Sequence, residues 1–187
     1  LQLTVWRPLL DSDTIDKPGV WGNPYNGNFN EESWSIHNIF NKVYSCEIID
    51  GKVFVTASLA GVGRIPFLRY TGEYSVHDDG VNGKVIEDIE YLPRIGFEFK
   101  IPKNKNTFRY FGMGPEENYC DLKWHAMMGV YESTAEDEYV NYVMPQEHGN
   151  HINTKELTIG DLTFRADTEF DINVSDYSIP ALEKAQH

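Results

Sequence analysis

Asp50-Gly51 separates two apolar, β-prone runs, residues 40–49 and 53–59. That pattern predicts a tight hairpin, because Gly readily supplies the positive φ of a short turn. The same grammar repeats downstream. Residues 67–77 alternate apolar with polar and meet the polar turn Asp78-Asp79-Gly80-Val81-Asn82-Gly83, and 84–91 return as a strand. Beyond Pro93, residues 94–101 continue, with Ile95, Phe97, Phe99 and Ile101 recurring at period two, which predicts one strand face against a core. Residues 107–111 follow the basic turn Lys103-Asn104-Lys105-Asn106 as another short strand. Short strands punctuated in this way predict an all-β chain, an antiparallel sandwich or barrel.

The second half is more varied. Residues 112–126 read as a loop, 127–131 and 139–144 as short strands, and 154–159, 162–166 and 169–174 as a late β group with a turn at Gly160-Asp161. Ser178 predicts a helix cap, with Pro180 in the first turn where its missing N–H costs little. Residues 18–35 are the least regular, a Gly- and Asn-rich loop carrying Trp21 and Trp34. Long loops of this kind are often functional.

Composition narrows the class. The 187 residues are enough for one domain, which at this length buries roughly 70% of its unfolded surface. The 13% aromatic share favours strands. A net charge of −13 argues against nucleic acid or an anionic membrane as partner. Cys46 and Cys120 are too far apart for a local redox or metal motif, and read as two buried free thiols. No apolar run approaches the ~20 residues of a membrane helix, and residues 1–13 are not signal-like. With Leu1 in place of an initiator Met, the chain reads as a processed or excised piece.

Residues 110–149 carry the most specific pattern. Gly112, Gly114, Pro115, Glu117, Asn118, Tyr119 and Asp121 are followed by Tyr142, Val143, Pro145, Gln146, Glu147 and Gly149. This block resembles the small-chain, C-terminal domain of bacterial glycoside hydrolase family 2 β-galactosidases, with His148 where that family usually has Asn. Trp6, Arg7, Asp11 and Asp13 keep the spacing of the family's opening motif, and Leu92-Pro93-Arg94-Ile95-Gly96 resembles another of its segments. The resemblance implies a large antiparallel β-sandwich of the galactose-mutarotase-like kind, a single domain over 1–187 that is truncated at both ends relative to the family domain. It also implies that the family's catalytic carboxylates lie in another domain. A sugar-lining Trp of the family lies beyond the position of His187.

Retaining glycosidases need two carboxyl groups about 5–5.5 Å apart. Glu116, Glu117, Asp121 and Glu147 are candidates by composition, but none matches a family catalytic position. A structural loop, with Glu117 and Asn118 bonded to backbone and Gly112 and Gly114 allowing close turns, is the plainer reading. His148 and His151 stand three apart, but Pro145 and Gly149 argue against the helix that would align them on a metal. Glu147 with His148 or His125 could mimic the acid–base pair of sugar epimerases. Trp21 and Trp34 are candidates for stacking on sugar or on a neighbouring domain.

These readings converge on the C-terminal module of a β-galactosidase that hydrolyses terminal β-D-galactosyl residues. The module is expected to pack on the catalytic barrel, support the sugar site and be inactive alone. Candidate substrate-binding residues are Trp21, Trp34, Glu147 and His148. The expected partners are the remaining domains or large subunit of the enzyme, and galactosides. No cofactor or metal is expected in this chain, with Mg and Na assigned to other domains of the parent, and the expected location is cytoplasmic. The alternatives are an independent carbohydrate-binding or mutarotase-like domain, and a ligand-free interaction module.

Overall fold

In the computed structural model, residues 2–5, 38–75, 80–85, 94–143 and 145–185 are described. Among them run β1 (Gln2–Thr4), β2 (Ile39–Ile49), β3 (Lys52–Gly61), β4 (Leu68–Tyr74), β5 (Gly80–Val85), β6 (Gly96–Glu98), β7 (Thr107–Gly114), β8 (Met127–Thr134), β9 (Asn150–Ile159), β10 (Leu162–Asn173) and α1 (Ile179–Lys184). The class is all-β with antiparallel sheets, in accord with the sandwich expectation. No helix among the described residues is long and apolar enough to cross a membrane. The residues group into two units, one drawn mainly from Ser12–Gly96 and one from Phe97–His187. β1 and β6 form a two-stranded sheet.

The first unit is a four-stranded meander in the order β2-β3-β4-β5. Asp50 and Gly51 close the β2–β3 hairpin with φ of 51° and 78°. Positive φ at both central residues marks the primed turn whose twist matches that of the strands. Along β4 the apolar Leu68 and Tyr70 are buried while Arg69 and Thr71 face out, which is strand periodicity made visible. Ala57, Leu59 and Phe67 are fully buried beside them. β2 is an edge strand, and it leaves Phe40, Val43 and Ile48 exposed. Two expectations are corrected here. Gly80, Val81, Asn82 and Gly83 belong to a strand rather than a turn, because their backbones pair with β4 whatever their polarity. Cys46 is a free thiol as expected, but it is exposed on that edge strand.

The second unit has the order β10-β9-β7-β8. Phe108 and Tyr110 of β7 pack with Leu157, Ile159 and Ile172, and Ile101, Tyr131, Phe164 and Phe170 lie against this cluster. Each such buried side chain contributes about 1.5–3 kcal/mol. β10 is one strand, not two, with register shifts between Arg165 and Ile172 that keep both halves on β9. The period-two expectation for residues 95–101 holds only at its far end. Ile101 packs on the core and Phe99 stacks on Phe164, whereas Ile95 and Phe97 are exposed. Only Gly96–Glu98 is a strand there, so the alternation has no long ladder to lie on. Residues 139–143 form no strand. Turn bonds from Tyr139 N–H to Glu136 and from Tyr142 N–H to Val140 occupy their backbone. Ser178 precedes α1 with extended backbone but makes no side-chain cap bond, and its carbonyl accepts from Ala181 and Leu182 instead. Cys120 is also exposed, in the turn that links Tyr119 to Leu122.

Candidate functional site

The signature block begins on β7. Gly112 and Gly114 lie within the strand rather than in turns, and their neighbours explain them. A Cβ on Gly112 would sit 2.5 Å from Thr154 Oγ1 and 3.0 Å from the Thr154 backbone. A Cβ on Gly114 would meet the Tyr110 hydroxyl and, at 2.8 Å, the Tyr131 ring. Real Cβ atoms do not approach that closely, so both positions exclude side chains in this packing.

Past Gly114 the chain leaves the sheet, and Asn118 anchors it. Asn118 is fully buried. Its Nδ2 donates to the carbonyls of Met113 and Glu116, both at 3.0 Å, and its Oδ1 accepts the Ile152 N–H at 2.8 Å. Its backbone N–H donates to Asn150 O at 2.7 Å, and Asn150 Nδ2 returns a bond to Asn118 O at 3.0 Å. One amide side chain thereby satisfies three backbone groups of irregular chain.

Glu117 ties this segment to the other half of the block. Its Oε2 accepts the Gly149 N–H at 2.8 Å, and its Oε1 accepts the Tyr142 hydroxyl. The Tyr119 hydroxyl lies 3.5 Å from Oε2, too long for a strong bond. Burial first, and then the bond to Glu117, push the Tyr142 hydroxyl up to about 12. Gly149 has φ of 68°, and a Cβ there would lie 2.9 Å from Glu138 O. Conformation and space both call for glycine at that point.

Behind this clasp sits a buried polar pair. His151 Nε2 donates to Glu138 Oε2 at 2.8 Å, with side chains 1% and 7% exposed. The His151 ring lies 4.5 Å from the Tyr110 ring, and its Nδ1 is 3.0 Å from the Tyr110 hydroxyl and 3.1 Å from Met113 O. In the neutral ring Nδ1 accepts the Tyr110 proton, and in the imidazolium it donates to Met113 O, so each state has a partner. Burial, reinforced by Glu138, drives the Tyr110 hydroxyl well above its ordinary range.

Trp6, Arg7, Asp11, Asp13, Trp21 and Trp34 lie outside the described residues. Arg94 is half-buried ahead of β6. Pro115 and Asp121 are exposed, while Tyr119, Pro145 and Gln146 are half-buried. Glu147 and His148 are 2% and 4% exposed. His148 Nδ1 faces Gln146 O at 3.0 Å, and its ring meets Tyr139 edge-on. His125 is exposed, with Nε2 against Glu117 O at 2.8 Å. His148 and His151 therefore turn to different partners. No group of three or more His, Cys, Asp or Glu that could hold a metal occurs among the described residues. Glu138 escaped the sequence reading. It is one of three acids in the run Glu136-Asp137-Glu138, and nothing local sets it apart from its solvated neighbours.

The family model described as beta galactosidase small chain matches residues 1–187. The chain belongs to the β-galactosidase small-chain family. A β-galactosidase of Actinobacillus pleuropneumoniae is 32% identical over 196 residues, covering 100% of this chain and 18% of the relative. One of Psychromonas ingrahamii is 28% identical, covering 95% of this chain and 17% of the relative. One of Streptococcus thermophilus is 29% identical, covering 85% and 17%. The chain thus spans less than a fifth of the length of these relatives. In this chain, residues 110–149 include a hydrogen-bonded clasp built on Glu117 and Asn118.

Proposed function

We propose that the chain is the small-chain module of an enzyme that hydrolyses terminal β-D-galactosyl residues, and that it supports the sugar site from outside the catalytic domain. The observation that carries this reading is the engagement of Glu117. Both of its carboxylate oxygens accept bonds from the chain's own groups, Tyr142 and Gly149. A carboxylate held in this way is a brace, whereas a retaining nucleophile must face an anomeric carbon. The module packs on the catalytic barrel, and galactosides bind in the completed enzyme.

The test is an aryl β-galactoside assay. The purified chain alone should give no turnover, and the complete protein that contains it should give turnover. Hydrolysis by the chain alone that disappears in Glu117→Gln or Glu147→Gln would overturn the reading.

A further inference from the structure

The segments that follow β8 and β10 bring two half-exposed tyrosines together. The rings of Tyr139 and Tyr177 lie 5.4 Å apart, tilted by 52°, and the residues are 44% and 51% exposed. His148 is the buried neighbour of this pair. Its ring meets Tyr139 edge-on at 5.1 Å, and only 4% of the residue is exposed. Asn173, the last residue of β10, donates to the His148 carbonyl and holds the strand end beside it.

The polar atoms of this group are not engaged by the fold. His148 Nδ1 faces Gln146 O at 3.0 Å, and a carbonyl only accepts, so Nδ1 carries the proton. Nε2 of the neutral ring is then an acceptor, and it has no partner among the described residues. A buried ring nitrogen without a partner is an exception that calls for one. The Tyr139 and Tyr177 hydroxyls also lack partners among the described residues. Next to Tyr177, Asp176 Oδ2 lies 3.2 Å from Lys103 Nζ, so the rim carries one charge of each sign.

Exposed aromatic faces with unengaged polar atoms at their edges match one ligand chemistry. A pyranose has C–H patches that pack on a ring face, and hydroxyls around its rim that donate and accept. Tyrosine presents such a face at low cost in conformational entropy. The balanced rim and the net charge of −13 disfavour an anionic ligand. We propose that Tyr139, Tyr177 and His148 form a surface subsite for a neutral pyranose. The sugar face lies on the tyrosine rings, one hydroxyl donates to His148 Nε2, and Asp176 and Lys103 take others. The subsite is built from this chain alone. It needs no catalytic carboxylate, so it stands or falls separately from the functional reading above.

Aromatic NMR of the isotope-labelled chain tests this, with methyl β-D-galactopyranoside and methyl β-D-glucopyranoside as probes and glycerol as the control. The ring signals of Tyr139 and Tyr177 should move together and saturate with at least one glycoside, at a Kd on the order of 1 mM for so small a ligand. The Nε2 signal of His148 should shift with them. Tyr177→Ser should weaken binding severalfold while leaving the melting of the chain unchanged, and Tyr177→Phe, which keeps the ring, should retain most of it. No saturable shift with either glycoside would overturn the proposal. So would shifts of equal size with glycerol, or binding that persists undiminished in Tyr177→Ser.

Discussion

Glu138 and His151 face each other at 2.8 Å in a site almost closed to water. The pair joins the turn after β8 to the start of β9, and the His151 ring lies on Tyr110 at the centre of the sheet. Removing one partner strands a polar group in a buried site. Glu138→Ala and His151→Ala should each cost about 3–5 kcal/mol. The double variant should cost clearly less than the sum, because the two residues act as one unit. Chemical denaturation of the four proteins checks both statements.

Asn118 offers a sharper substitution. Asn118→Asp keeps shape but replaces a two-proton donor with an acceptor aimed at the carbonyls of Met113 and Glu116. Two buried carbonyls lose their donor and face a carboxylate. The variant should lose more stability than Asn118→Ala, which itself should cost about 1–3 kcal/mol. Thermal melting of the two variants side by side reads the order.

Tyr142 and Tyr110 should both titrate above the ordinary tyrosine value of 10.0 in an alkaline absorbance titration. Both hydroxyls are raised in the folded chain, so the fold binds protons that the unfolded chain releases above its ordinary pKa of 10.0. That stabilisation is complete below pH ~10 and declines as pH rises toward the folded values. For Tyr142 the window therefore runs from 10.0 to about 12. Tyr142→Phe should remove one late transition and flatten the loss of stability in that window.

What could be read from the sequence was local. The Asp50-Gly51 turn was visible because two adjacent residues decide it, and both adopt the positive φ that the dipeptide implies. The Gly160-Asp161 turn behaves likewise, with Gly160 at φ of 56° between Ile159 and Leu162. The signature block was legible as structural, yet its geometry was not. Gly149 and Glu117 bond across 32 positions, and Tyr142 reaches Glu117 across 25. No periodicity encodes such pairs. Gly112 and Gly114 looked like turn residues, but their cause is cross-strand crowding by Thr154 and by Tyr110 with Tyr131. Ile95 and Phe97 kept a core-like alternation without a ladder to bury it. Residues 139–143 looked extended, but turn bonds and the Tyr142 anchor outweigh their β propensity.

Glu117→Gln is the most direct test of the account, measured as denaturation of the chain and as turnover by the complete protein. The amide has one acceptor oxygen for two donors, Tyr142 and Gly149, and turns an N–H₂ toward one of them. The account predicts a stability loss of about 1–3 kcal/mol, with turnover per folded molecule nearly unchanged. Unaltered stability with turnover reduced by about 10²–10⁴, the usual scale for an acid–base group, would contradict it.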